Sequence, residues 1–215
     1  MILYGFWRST ATWRVRIVLA TKGIAYEYRP VNLRREGGGE QHDGAYRALN
    51  PMRQVPLLVT EEGGREVRLA QSVAIAEYIE ERFPDPPLLP ADRLARARVR
   101  QIVEIINSGI QPLQNTAVQI HVKDDLGRDD VAWIKTWVGR GLEALEAAVR
   151  DTAGAFAVGD ALTLADVFIA PQIDFARRFA IDLGPHPTLV RVEAATAGLP
   201  AFRDAHALRQ IDAPH

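Results

Sequence analysis

Four prolines crowd residues 84–90, at Pro84, Pro86, Pro87 and Pro90 around Leu88-Leu89, and the hydrophobic pattern differs on the two sides. Before this stretch short strand signals alternate with helical ones; beyond it every apolar pattern has helical spacing. A proline cluster is stiff and steers its neighbours away from helix. The sequence therefore predicts an α/β domain over residues 1–83, a linker over 84–90 and an all-α domain over 91–215. At 215 residues the chain is long enough for a core in each without staples.

Ile2 to Phe6 is a short apolar run suited to a buried strand, and Trp13 to Lys22 repeats apolar residues at helical spacing until Gly23 stops it. Tyr26 to Val31 reads as a second strand, and the polar, glycine-rich stretch Arg34 to Gly44 as a loop. Val55 to Val59 and Glu66 to Leu69 read as strands joined by the Glu62-Gly63-Gly64 turn; Ser72 to Arg82 carries a helical stripe at Val73, Ala76 and Ile79. The second domain shows helices over Asp92 to Ile120, Asp129 to Ala153 and Leu164 to Arg178, with shorter ones after Pro187 and Pro200.

Composition excludes several function classes. With no cysteine there is no disulfide, no thiolate-ligated zinc and no protein-borne thiol nucleophile, so any thiol chemistry must use a borrowed thiol. The net charge of -1 gives no basic excess for nucleic acid or acidic lipid. The N-terminus lacks the basic and long apolar regions of a signal peptide, no run approaches the ~20 apolar residues of a membrane span, and the cytoplasm is the expected location. The five histidines, His42, His121, His186, His206 and His215, make no metal-binding spacing and are expected in solvent; no metal is expected. Trp13, Trp133 and Trp137 fit apolar helix faces better than a stacking platform.

Thr163-Leu164-Ala165-Asp166 has the form of a capping box flanked by Leu162 and Val167 as a staple, which makes Asp166 structural rather than catalytic. Gln71-Ser72 follows a strand and opens a helix, where a hydroxyl and unpaired amides suit a carboxylate, although most such serines are only caps. Ser9-Thr10-Ala11-Thr12 sets three hydroxyls at the mouth of the first helix. Only one can be the cap, and the helix dipole there favours an anion such as a thiolate. Pro56 cannot donate to a ladder, so Val55-Pro56 marks a strand start, an edge or a cis bond; trans is favoured, since cis accounts for only ~5–6% of such bonds.

The blocks Arg8-Ser9-Thr10-Ala11-Thr12-Trp13-Arg14-Val15-Arg16, Ala48-Leu49-Asn50-Pro51-Met52-Arg53-Gln54-Val55-Pro56, Gln71-Ser72, Gly109-Ile110-Gln111-Pro112-Leu113-Gln114-Asn115 and Arg178-Phe179 closely resemble the zeta-class glutathione transferases. The resemblance covers essentially the whole chain. It implies a thioredoxin-like N-terminal domain joined to an all-α domain, a cis Val55-Pro56 bond and a homodimer. It implies a glutathione site of Gln41, Val55, Gln71 and Ser72, completed by Gln111 and Asn115, with Ser9 and Thr10 near the sulfur. The class usually reads serine-serine-cysteine where this chain has Ser9-Thr10-Ala11, so no mechanism can use that cysteine.

The activity implied is cis–trans isomerisation of maleylacetoacetate to fumarylacetoacetate, in aromatic amino acid breakdown, with glutathione as cofactor. Its thiolate would add to the cis alkene and leave after rotation. The small dicarboxylate calls for arginines, whose planar fork meets a carboxylate through two hydrogen bonds. Arg8 directly precedes the hydroxyl cluster and Arg178 ends a helix of the second domain; the resemblance points to the same pair, and Arg177 serves as a solvated control. Maleylpyruvate isomerisation and glutathione-dependent dehalogenation or conjugation share the same glutathione residues. A non-catalytic binding module is the alternative of another class, disfavoured by the intact hydroxyl cluster and Gln71-Ser72.

Overall fold

The computed structural model describes residues 1–35 and 38–214. The chain divides into two compact units, Met1–Pro86 with Pro200–His215, and Pro87–Leu199. The first is built on strands β1 (Ile2–Gly5), β2 (Glu27–Pro30), β3 (Leu57–Glu62) and β4 (Arg65–Ala70), with helices α1 (Thr10–Thr21), α2 (Gly44–Leu49) and α3 (Ser72–Arg82) between and after them. The sheet order is β2-β1-β3-β4. β1 pairs parallel with β2, which requires the crossover that α1 supplies, and antiparallel with β3. β3 and β4 form a hairpin whose two-residue loop, Gly63-Gly64, has φ of 56° and 76°, a conformation that favours glycine. Of the expected 34–44 loop, Glu36 and Gly37 lie outside the described residues, and Glu40–His42 forms a single 3-10 turn.

The period of two along each strand separates two faces. Tyr4, Leu57 and Val59 pack with Phe6, Val31 and Tyr46 on one face. Gly5 faces α1 on the other: a Cβ there would collide with Thr12 and come within 2.9 Å of Tyr28 Cε2. The absence of a side chain is what lets α1 begin so close to β1. From Thr12 to Leu19 α1 is buried all round, Arg14 and Arg16 included, which its apolar stripe alone does not foretell.

The second unit comprises α4 (Arg93–Glu104), α5 (Gln111–Gln114), α6 (Thr116–Ile120), α7 (Asp130–Arg150), α8 (Leu164–Arg178) and α9 (Pro187–Ala197). The expected single helix from Asp92 to Ile120 is broken. A π-helical turn occupies Ile105–Ile110, Pro112 lacks a donor, and Asn115 leaves helical geometry (φ −61°, ψ 143°) to cap α6 by accepting from Ala117 N–H at 3.2 Å. Glu146 on α7 caps α9, accepting from the Thr188 and Leu189 amides at 3.1 and 3.0 Å. This positions His186, the residue before α9, in the interior at 5% exposure, against the expectation of a solvated histidine; burial follows from the cap, not from ligation. His42 and His121 are exposed, and His215 lies outside the described residues.

The C-terminal helix α10 (Pro200–Asp204) packs on α1 within the first unit. Residues 200–215 therefore leave the all-α body to which 91–215 assigns them. The reason is the buried flank of α1: Arg16 Nε donates to Ala205 O at 3.1 Å, and His206 stands edge-on to Trp13 with ring centroids 4.8 Å apart. The proline segment is tied at both ends, Pro86 O accepting from Lys22 Nζ at 2.6 Å in the first unit and Leu88 O from Leu164 N–H at 2.9 Å in the second.

Helix α8 is buried from Leu164 to Ile173, and its start carries the expected capping box. Asp166 accepts from Thr163 N–H at 2.8 Å, Thr163 Oγ1 at 2.9 Å and Ala157 N–H at 2.7 Å. Burial pushes its carboxyl up from the ordinary value, and the amide hydrogen bonds act in the opposite direction. Asp166→Ala would strand two buried amides at about 1–3 kcal/mol each, so the unfolding free energy is expected to fall by roughly 2–5 kcal/mol, read from the urea midpoint of the second unit's transition.

Candidate functional site

The sheet register lines up Tyr4 of β1, Leu57 of β3 and Ala70 of β4 in one row. β1 and β4 both end here and β3 begins here. Three irregular segments therefore meet at one end of the sheet: Phe6–Ser9 leading into α1, Val55-Pro56 leading into β3, and Gln71 leading into α3. The end of β2 joins them, since Pro30 pairs with Gly5 and Val31 N–H donates to Gly5 O at 2.6 Å. Both long helices of this unit thus present their N-termini at the same edge, and neither has an acidic residue in its first turn. Such an edge favours anions.

Ser9 is the cap of α1, its Oγ accepting from Thr12 N–H at 3.2 Å. A hydroxyl that accepts keeps its proton to donate, and accepting polarises it. It is half-buried, whereas Thr10 and Thr12 are buried at 5% and 0% exposure. Of the three clustered hydroxyls, Ser9 has the geometry of a donor to an incoming anion.

The start of α3 is different. Gln71 has φ 74° and ψ 119°, a left-handed conformation that costs a side-chain-bearing residue on the order of 1–3 kcal/mol, and its side chain makes no cap. The first amides of α3 are left for another acceptor. Ser72 is buried at 3% exposure, with Oγ accepting from Arg14 Nη1 at 3.3 Å and its own proton free to turn outward. Arg14 stands in the sequence only within the Arg8–Arg16 block, and an arginine amid the apolar residues of α1 is the signal of a buried partner.

Val55-Pro56 is cis, as the resemblance implies and against the trans preference of the dipeptide. The ladder begins at Leu57, so the Val55 peptide groups are not committed to it. Gln41 is buried in the Glu40–His42 turn at 8% exposure, its Oε1 without a hydrogen-bond partner. Its side chain folds over Gly39, where a Cβ would collide with it. A buried amide held open in this way fits a peptide-like ligand.

In the second unit Gln111 opens α5 and its Oε1 accepts from Gln114 Nε2 at 3.3 Å. Gln114 and Gln172 form a buried reciprocal amide pair at 3.1 and 2.9 Å, a support for Gln111 that sequence reasoning missed because the partners lie on different helices. Asn115 spends its Oδ1 on the α6 cap. Arg178 is exposed, with its guanidinium 4.8 Å from the Phe175 ring centroid and 5.5 Å from that of Phe179. Arg8, in the first unit, lies 5.8 and 5.7 Å from the Phe6 and Trp7 rings. Arg177 is not a solvated control: it makes a bidentate pair with Glu193 at 2.8 and 2.9 Å.

The chain matches the family models for the glutathione S-transferase N-terminal domain over residues 3–87 and C-terminal domain over residues 127–200. It is 46% identical to a probable maleylacetoacetate isomerase of Drosophila melanogaster over 99% of this chain and 90% of that one. A maleylacetoacetate isomerase from Anaeromyxobacter dehalogenans with glutathione bound in its active site is 52% identical, with a TM-score of 0.90 over 99% of this chain and 97% of that one. The holo form of a bacterial zeta-class maleylpyruvate isomerase is 42% identical, with a TM-score of 0.91 over the full length of both. With both domains matched in order and relatives similar over nearly the whole chain, this protein belongs to the zeta class of the glutathione S-transferase family.

Proposed function

We propose that the protein is a glutathione-dependent cis–trans isomerase of maleylacetoacetate. The observation that carries the reading is the meeting of the Ser9 cap, the cis Val55-Pro56 bond and the left-handed Gln71 at one end of the sheet. When bound, glutathione supplies the thiol whose reversible addition lets the alkene rotate. The residues hold and tune it. Ser72 Oγ and the uncapped α3 amides take its γ-glutamyl carboxylate, the Val55 peptide its backbone, and Gln41 a further polar group, with Gln71, Gln111 and Asn115 as the remaining partners. Ser9 Oγ donates toward the sulfur and, with the N-terminus of α1, lowers the thiol pKa from its ordinary value near 8.5. Thr10, buried in the first turn of α1, is the second hydroxyl near the sulfur. Arg8 and Arg178 take the substrate's carboxylates.

Maleylpyruvate is the second reading, favoured by the equal structural likeness to the maleylpyruvate isomerase. Turnover of both compounds by the purified protein with glutathione decides between them, and turnover of neither overturns the isomerase reading. A homodimer working in aromatic amino acid breakdown is carried over from the resemblance, and a cytoplasmic location from the sequence reading of the N-terminus; among the described residues no helix is long and apolar enough to cross a membrane, and sedimentation tests the dimer.

Ser72→Ala is expected to weaken glutathione binding by about 1.5–3 kcal/mol, the range for a hydrogen bond to a charged group. Unchanged affinity by calorimetry would move the carboxylate elsewhere. Ser9→Ala is expected to raise the pKa of bound glutathione, followed by thiolate absorbance, with little change in affinity; if Thr10→Ala does so instead, the hydroxyl is misassigned. Arg178→Ala should raise KM for the dicarboxylate severalfold while glutathione affinity holds. Arg177→Ala should leave KM alone and cost about 1 kcal/mol of stability, since the arginine of its ion pair is half-exposed.

A further inference from the structure

The turn that presents Ser9 is gripped from outside. Ser9 N–H donates to Phe6 O at 3.0 Å, which leaves Trp7 and Arg8 as its central residues. Both backbone polar groups of Trp7 are then taken by residues outside the turn. Its N–H donates to Asp212 Oδ2 at 2.9 Å, and its carbonyl accepts from Arg16 Nη2 at 2.8 Å. Arg16 in turn reaches the C-terminal segment through Ala205 O, and Tyr28 Oη donates to the same Asp212 oxygen at 3.4 Å. Residues 205 and 212 thus clamp the strand-to-helix corner through one buried guanidinium and one carboxylate.

This clamp is costly as a mere staple. Arg16 is fully buried, and its Nη1, like Asp212 Oδ1, is buried without a hydrogen-bond partner. Desolvation pulls the Arg16 pKa down, with Tyr28, Tyr26 and Asp212 opposing it. Buried polar atoms left orphaned are weak evidence for stability and better evidence for geometry that must be held. Among the described residues Asp212 accepts hydrogen bonds from Trp7 N–H and Tyr28 Oη alone, so the geometry it holds is that of the corner.

We propose that Asp212 is a positioning residue for glutathione activation: by fixing Trp7 N–H it sets the Phe6–Ser9 turn, and hence the direction in which Ser9 Oγ donates. The inference rests on the reading of Ser9 as the thiolate donor. Asp212→Ala, which removes the acceptor, should raise the pKa of bound glutathione by half a unit or more and lower kcat about tenfold, since small misplacements of a reacting group are expensive. Glutathione affinity by calorimetry should stay within about twofold, because the carboxylate and peptide contacts lie elsewhere on the sheet edge. Asp212→Asn keeps an acceptor for Trp7 N–H and should recover most of both effects. Should Asp212→Ala fail to fold by circular dichroism, Asp212→Ser, too short to reach Trp7, replaces it. A lowered thiol pKa in the unmodified protein that Asp212→Ala leaves unchanged overturns the inference alone, as does equal loss in Asp212→Asn and Asp212→Ala. A bound thiol that titrates like free glutathione in the unmodified protein overturns the Ser9 reading and this inference with it.

Discussion

The row formed by Tyr4, Leu57 and Ala70 is the constraint on which the rest depends. Because β3 is antiparallel to both of its neighbours, one end of the sheet collects the exits of β1 and β4 and the entry of β3. A one-residue slip in either ladder would send every side chain of the slipped strand to the opposite face. The register is therefore held by burial on both faces, with Leu3 and Leu58 paired toward one and Tyr4 and Leu57 toward the other. Gly5 adds a condition of its own, since α1 can begin beside β1 only where no Cβ meets Thr12 and Tyr28.

The polar groups at that edge are kept in states that folding alone disfavours. Gln71 holds a left-handed backbone, Gln41 keeps an amide oxygen buried and unpaired, and the N-terminus of α3 goes uncapped. Each costs free energy in isolation, and in the proposed site a ligand with a carboxylate and peptide groups would supply the missing partners of the amide oxygen and the helix amides. The contrast with α8 is instructive. There the helix start is closed by Thr163 and Asp166, whose carboxylate accepts from the Thr163 and Ala157 amides, and the result is a structural cap.

Much of this was legible in the sequence because it depends on local chemistry. The proline cluster, the Gly63-Gly64 turn and the Thr163–Asp166 box each carry their own geometry, and the bounds of α3 and α8 follow from caps and stripes. What was not legible depends on partners far along the chain. The break in the helix from Asp92 to Ile120 needs Asn115 to prefer capping α6 over continuing, and the burial of His186 needs Glu146 on another helix. The C-terminal segment reads as more helix, yet Arg16, nearly two hundred residues earlier, decides which unit it joins. At the site, Ser9 and Ser72 could be picked out as hydroxyls at helix starts, but the strained φ of Gln71 and the support of Ser72 by Arg14 have no local signature.

The two arginines proposed for the substrate share an environment that bears on why both are arginine. Arg8 lies over Phe6 and Trp7, and Arg178 over Phe175 and Phe179, whose rings are themselves stacked at 4.7 Å. An aromatic face holds the plane of a guanidinium by cation–π attraction and directs its hydrogen bonding to the edge, where the fork geometry matches a carboxylate. An ammonium has no plane to hold, so a lysine at either position would keep the charge and lose the orientation. In the proposed site the grip on a dicarboxylate would therefore draw on the rings beside the arginines as well as on their charge.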